Sequence, residues 1–441
     1  MVYKKRKEEF SLKNKTIIKN IKIILLIRGG YFMFKKITRT VAIILVMCMT
    51  LVACGGKDTA NNNTQSSGNS QNQANNESGS NTGSGKSITE LKLGLNNYYK
   101  GIYSVDILEN GFVETCKALG IQTMVVNDEG KVEKTVQNID NMISAGVDGI
   151  VFFGISETLF PVISEKCQEA KVPFVCYDHM PSDENLEILK ANPYFKGVVA
   201  TRDYGTGQNI GKHAASLGLK KALIITGKMT DPTHSARTNG FKDAFEAAGG
   251  EVLDIAWDAN NLADATAKAN DLLTAHPEAD CVYASNGDYG SGTLQALAQH
   301  PEVNAKMFVT DLDPDILAGL KDGSITAANG AHWINVDFAT TLLVNALLGH
   351  ELKDADGKAP VLVAPVMALP SEMVDLYDKF WIKSQPFSGE ELKQFVVTWN
   401  ENVSLKDYED VLANYSVETR LKQKEKEGLV TAEELKAVGI E

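Results

Sequence analysis

From Leu91 onward, short apolar runs alternate with stretches whose apolar residues recur every three or four positions. This alternation restricts the chain to a layered α/β fold. Strands are expected at Leu91 to Leu95, Ile121 to Val126, Val147 to Phe153 and Pro173 to Tyr177. Between them the helical period predicts helices over Ser104 to Leu119, Val132 to Ala145 and Glu157 to Ala170, the first with Val105, Leu108, Phe112 and Leu119 near one face and Gly120 at the C-cap position. The strands are apolar along nearly their whole length, so the sheet is expected to be parallel and covered on both faces.

A second series of the same unit follows. Strands are expected at Gly197 to Thr201, Ala222 to Thr226, Val252 to Ile255, Cys281 to Ala284 and Met307 to Thr310, and helices at Gly205 to Leu217, Ser235 to Ala248, Ala263 to Ala275, Gly290 to Gln299 and Pro314 to Leu320. One α/β core does not hold this many elements comfortably, since domains run about 50 to 250 residues. The expectation is therefore two doubly wound, Rossmann-like lobes with parallel sheets. The late helix Val336 to Leu348 and strand Val361 to Val366 return the chain to the first lobe and back. The expected division is 88–201 plus 330–358 for the first lobe and 202–329 plus 359–378 for the second. Residues 379–441 then form a charged helical extension, read as packing on one lobe, with an interaction surface as the alternative.

What precedes the lobes is of a different kind. Lys35, Lys36 and Arg39 form a basic head, Val41 to Val52 an apolar run shorter than the roughly 20 residues of a membrane span, and Leu51-Val-Ala-Cys54 a small-residue cut site. Residues 33–53 read as a secretory signal, and Leu-Val-Ala-Cys resembles the lipobox of bacterial lipoproteins, which implies lipidation of Cys54 and cleavage before it. Met33 opens a complete signal by itself, so residues 1–32 are either a non-native extension or a long n-region. From Cys54 to Ser87 the chain is chiefly Asn, Gln, Ser, Gly and Thr. Such a stretch cannot bury enough apolar surface to fold and serves as a flexible spacer.

Residues 1–53 hold twelve Lys and Arg against Glu8 and Glu9, so the net charge of −12 becomes −22 beyond Ala53. An exported body this acidic is poorly suited to nucleic acid or an anionic membrane surface. It is expected to be a soluble monomer held to the outer face of the membrane by lipid alone, whose two acyl chains suffice for stable anchoring. Cys116, Cys167, Cys176 and Cys281 are scattered without a Cys-x-x-Cys and read as buried apolar residues.

Catalytic and metal motifs are near misses. Gly205-Thr-Gly-Gln-Asn-Ile-Gly-Lys lacks the first glycine of a phosphate loop and has His213 in its Ser/Thr place. Asp311-Leu-Asp313-Pro-Asp315 opens like a calcium loop but continues with Ile316 and reaches Asp322 at its twelfth position. The seven histidines show no metal spacing, and no Gly-x-Ser-x-Gly appears. No enzyme, metal or cofactor is expected.

In open α/β sheets ligands bind beyond the carboxyl ends of the strands. There the chain places Asn96, Asn97, Tyr98, Tyr99, Asp178, His179, Asn286, Asp311 and Asn329. Amides and carboxylates bind paired hydroxyls and aromatic faces take the C–H face of a ring, which suits a polyhydroxylated small molecule.

Several short patterns carry a resemblance: Leu95-Asn-Asn97, Val172-Pro-Phe-Val-Cys-Tyr-Asp178, Arg237-Thr-Asn-Gly-Phe241, Ala284-Ser-Asn286 and Thr310-Asp311, in this order behind a lipobox. From about Ile88 to Tyr377 the chain resembles the periplasmic sugar-binding proteins of the ribose and galactose type, which serve ABC importers. The resemblance implies the type I periplasmic binding protein fold, a sugar ligand and an ABC transporter permease as partner. It also implies that Asp178, Asn286 and Asp311 bond sugar hydroxyls, with Asn329 where a Gln is common and His179 where an Arg is frequent. Only the second of two customary arginines, Arg237, is present, and Tyr98, Tyr99 and Tyr103 lie in a loop longer than that of the family's aromatic pair.

The ligand-binding candidates are thus Asn97, Tyr99, Tyr103, Asp178, His179, Arg237, Asn286, Asp311, Asn329 and Trp333. Each has another reading: helix caps or loop braces for the aspartates and asparagines, a structural ion pair for Arg237, core aromatics for Tyr99, Tyr103 and Trp333. The function implied is capture of a sugar between the lobes and delivery to the transporter. The alternatives are a sensing module read by a membrane receptor and an extracellular carbohydrate hydrolase.

Overall fold

In the computed structural model residues 85–441 are described. The signal, Cys54 and most of the spacer lie outside the described residues. The first sheet is built from β1 (Lys92–Asn97), β2 (Gln122–Asn127), β3 (Gly149–Phe153), β4 (Phe174–Asp178) and β5 (Phe195–Ala200), all parallel in the order β2-β1-β3-β4-β5. Helices α1 (Tyr103–Leu119), α2 (Val132–Ser144), α3 (Leu159–Ala170) and α4 (Asp183–Ala191) connect them. The strands β3, β4 and β5 are buried at every position, as a parallel sheet covered on both faces requires.

The second sheet repeats the plan. Strands β6 (Lys221–Ile225), β7 (Glu251–Ala256), β8 (Cys281–Ala284), β9 (Lys306–Thr310) and β10 (Ala327–Gly330) run parallel in the order β7-β6-β8-β9-β10. They alternate with α5 (Asp203–Ser216), α6 (Pro232–Ala247), α7 (Leu262–Ala275), α8 (Gly287–Leu297) and α9 (Pro314–Asp322). Both lobes are doubly wound, as the alternating pattern predicts.

After β10 the chain passes through residues 331–334 into α10 (Asn335–Leu347), which packs on β3, β4 and β5 of the first lobe. Strand β11 (Val361–Val363) then pairs parallel with β5, and β12 (Met367–Ala368) pairs antiparallel with β10. This corrects the expected division at 358, which gave Val361 to the second lobe. Gly197 of β5 permits the close approach there: it has φ +135, and a Cβ on it would overlap Leu342 of α10 and the carbonyl of Pro360 just before β11. Crossings between the lobes therefore fall at 201–202, 331–334 and 364–366.

The extension after Lys379 supplies α12 (Gly389–Lys393), α13 (Leu405–Ala413), α14 (Val417–Lys426) and α15 (Ala432–Ala437), following the short α11 (Val374–Tyr377). It packs on α1 and α10. Every residue of α10 is buried, because one face lies on the sheet and the other under the extension. The polar groups of that outer face are matched: Asn345 Nδ2 donates to the Phe395 carbonyl at 2.8 Å, Val397 N–H donates to Asn345 Oδ1 at 2.8 Å, and Tyr408 Oη donates to Thr341 Oγ1 at 3.0 Å. The four cysteines Cys116, Cys167, Cys176 and Cys281 are buried and unpaired.

Candidate functional site

The carboxyl ends of both sheets face one cavity of about 360 Å³, within the range of small-molecule sites, roughly 300 to 1,000 Å³. Asp178 ends β4 and Asp311 follows β9, the fourth strand of each lobe. Both take left-handed backbone, φ 66 and φ 85, a conformation that aspartate tolerates better than most residues. The sharp turn after the strand lets both carboxyls line the cavity. Asp178 Oδ1 accepts from Asn335 Nδ2 at 2.8 Å, which ties it to the first residue of α10.

Asp311 is held from the other side. The Arg237 guanidinium on α6 is 4% exposed; its Nε donates to Asp203 Oδ1 at 2.8 Å, its Nη1 to the Ser285 carbonyl at 3.0 Å, and Nη1 lies 3.5 Å from Asp311 Oδ1. Burial would lower the Arg237 pKa, but Asp203 and Asp311 outweigh it and keep the group charged. Burial pushes Asp178 up despite His179 and Asn335. It pushes Asp311 up as well, with Asp178 and Asp203 adding to it and Arg237 opposing.

Three histidines join these groups. His179 Nδ1 lies 3.0 Å from the Gly154 carbonyl. A carbonyl only accepts, so Nδ1 carries the proton, and Nε2 lies 3.7 Å from Asp178 Oδ2. His234 Nδ1 meets Ser285 Oγ at 2.9 Å. His332, on the crossing between lobes, holds Nε2 3.7 Å from Asp178 Oδ1 and 4.0 Å from Asp311 Oδ1. Aromatic faces complete the walls: Phe153 stacks with Tyr98 at 6.4 Å and packs against His179 at 4.5 Å, while Trp333 meets Tyr103 edge to face at 5.9 Å. Among the described residues no group of His, Cys, Asp or Glu is arranged to hold a metal ion.

Residues 93–351 match the family model described as periplasmic binding protein domain. The chain belongs to the periplasmic binding protein family. It is 27% identical over 207 residues to the D-ribose/D-allose-binding protein of Pseudomonas aeruginosa, covering 46% of this chain and 63% of that one. Over 220 residues it is 23% identical to the ribose import binding protein of Bacillus subtilis, covering 50% of this chain and 69% of the relative. In structure it is similar to an ABC transporter periplasmic solute binding protein of Actinobacillus succinogenes with bound D-allose, at TM-score 0.59 and 18% identity, over 65% of this chain and all of that one (100%). The two six-stranded sheets are those of the type I periplasmic binding protein fold.

In this binding protein Tyr99, Asp178, His179, Arg237, Asn286, Asp311 and Trp333 line the cavity. The other three candidates do not. Asn97 lies within β1 rather than beyond it, and its Nδ2 donates to Glu109 Oε2 at 2.7 Å and to Asp106 Oδ1 at 3.1 Å. Tyr103 stands behind Trp333. Asn329 lies in β10, donates from Nδ2 to the Thr206 carbonyl at 3.2 Å, and borders a separate groove on the second lobe. Asn286 serves twice: its Oδ1 caps α8 by accepting from Tyr289 N–H at 2.9 Å, and the residue also borders the cavity.

Sequence reasoning did not pick out Phe153, Asp231, His234 and His332, all of which line the cavity. Phe153 is the last residue of an apolar strand and reads as core. Asp231 carried the one available signal, an Asp before Pro232 at a helix start, and it does cap α6.

Proposed function

We propose that this chain is an extracytoplasmic substrate-binding protein that captures a sugar between its lobes and delivers it to an ABC transporter, anchored by lipid at Cys54. The observation that carries the reading is the pair of buried carboxyls, Asp178 and Asp311, one from each lobe, with Arg237 bracing the second and Phe153, Tyr98 and Trp333 supplying flat apolar faces. Carboxylates accept from sugar hydroxyls, the aromatic faces take the C–H face of the ring, and relatives named for ribose and allose support this ligand class.

Capture makes and breaks no covalent bond. A ligand that engages Asp178 and Asp311 together bonds both lobes, so it favours the arrangement in which they approach, with the crossings at 201–202, 331–334 and 364–366 absorbing the rotation. Selectivity comes from the cost of a buried donor or acceptor left without its hydroxyl, about 1 to 3 kcal/mol. A permease that docks only on the approached lobes would then read occupancy.

The test is a thermal-shift screen of the purified protein against pentoses, hexoses, inositols and nucleosides. A ligand at 100 times its Kd adds about 2.7 kcal/mol, so one sugar or a few related sugars should raise the melting temperature by several degrees; a folded protein unmoved by every sugar refutes the assignment. The anchor is checked separately, by labelling cells with radioactive fatty acid. Label should enter the native protein and be lost in Cys54→Ser.

A further inference from the structure

His332 sits on the crossing that joins β10 to α10, between the two lobes' equivalent aspartates. The residue before it, Ala331, takes left-handed backbone at φ 66, and this turn carries the imidazole to the cavity wall. Its side chain is 3% exposed. Its Nε2 is nearly equidistant from Asp178 Oδ1 at 3.7 Å and Asp311 Oδ1 at 4.0 Å, beyond hydrogen-bond range of both. Its Nδ1 has no hydrogen-bond partner among the described residues.

A buried ring nitrogen without a bonding partner, as Nδ1 is, costs folding free energy. Two explanations compete. If the ring were protonated, it would pair with both carboxylates and stabilise the fold. If neutral, it presents Nε2, as donor or acceptor, at the point where the lobes converge. Burial, with the positive charge of Arg237 and the neighbouring His179, disfavours the protonated form. The separations from the carboxylates leave room for an oxygen that bonds ring and carboxylate together.

We propose that His332 is a specificity-determining residue of the cleft, bonding the ligand hydroxyl that lies where Asp178 and Asp311 converge; this rests on the sugar reading above. One hydroxyl there engages the first lobe, the second lobe and the crossing between them. Its orientation on the sugar ring is then the stereochemical feature that the protein reads.

The experiment compares wild type with His332→Leu and His332→Gln in the otherwise native protein. Melting of the ligand-free protein is measured first, then the Kd of epimeric pentoses, hexoses and inositols by calorimetry. His332→Leu should melt at or above wild type, since it removes a buried nitrogen that has no partner. It should also weaken the preferred sugar about tenfold or more and shrink the ratio between epimers, while His332→Gln recovers part of both. Lower melting of both variants with unchanged epimer ratios would overturn the proposal in favour of a structural ion pair. If no sugar binds wild type, the sugar reading fails on its own. The ligand-free melts still decide His332: lower melting of His332→Leu rejects it as a ligand-reading residue, and melting at or above wild type retains that role for another hydroxylated ligand.

Discussion

At the scale of single residues the site is a set of buried charges that hold one another. Arg237 answers Asp203 and Asp311 with all three side chains almost wholly buried, and breaking such a pair leaves an uncompensated buried charge. Arg237→Ala should therefore lower unfolding free energy by about 3 to 5 kcal/mol in urea titrations, a larger loss than a contact made only to ligand would give. A second buried group lies outside the cleft. Asp337 on α10 accepts from Thr115 Oγ1 at 2.9 Å, yet burial pushes its carboxyl up to about 7. A carboxyl raised in the folded state favours folding while it is protonated, so its contribution is complete below the unfolded value near 4 and is lost as pH rises through about 7. Asp337→Asn should flatten stability between pH 4 and 7 and raise it at pH 8 by on the order of 4 kcal/mol, measured by melts across that range.

The contact between α5 and α6 is the element that positions Arg237. A Cβ on Gly207 would overlap the Arg237 carbonyl, and one on Gly240 would overlap the Tyr204 carbonyl, so the two helices meet backbone to backbone. The run from Gly205 to Lys212, which looks like a phosphate loop, is explained here: Gly207 and Gly211 face α6 and let it approach. Gly205, in contrast, has nothing within 4 Å of its Cβ position. Gly240→Ala should cost about 1 to 3 kcal/mol through overpacking and weaken sugar binding, because Arg237 lies one turn away. Gly205→Ala should be stabilising by up to about 1 kcal/mol. Equal effects in urea titrations would show that the helix contact does not set the site.

For the molecule as a whole, the extension after Lys379 belongs to the first lobe's core. Phe338 of α10 packs edge to face with Phe387, Phe395 and Tyr408, and Tyr415 Oη donates to the carbonyl of Ala331 on the central crossing at 2.8 Å. A chain ending at Asp378 would expose one whole face of α10. Such a truncation should bind a hydrophobic dye and lose its cooperative melt, whereas the full chain melts cooperatively; a truncated protein with an unchanged melt would show that the extension is dispensable.

The layered α/β architecture was legible in the sequence because strand and helix periods are local and the apolar strands admit only a sheet covered on both faces. Asp178, Arg237, Asn286 and Asp311 were legible too, since a polar residue at the end of an apolar strand or on the first turns of the next helix stands out locally. Asn97, Tyr103 and Asn329 looked the same on that criterion, but one added residue of strand or a neighbouring aromatic turned each away from the cavity. His332 carried no local signal, because its place between Asp178 and Asp311 depends on residues 154 and 21 positions away and on one left-handed turn at Ala331. The burial of α10 and the lobe that receives β11 were likewise decided in three dimensions. Local periods specify most of the elements, though not the helix Asp183–Ala191 or the short strand Ala327–Gly330, and they specify the end of each sheet at which a ligand could bind; the packing of two lobes and an extension around three crossings, which no local period encodes, settles which side chains meet there.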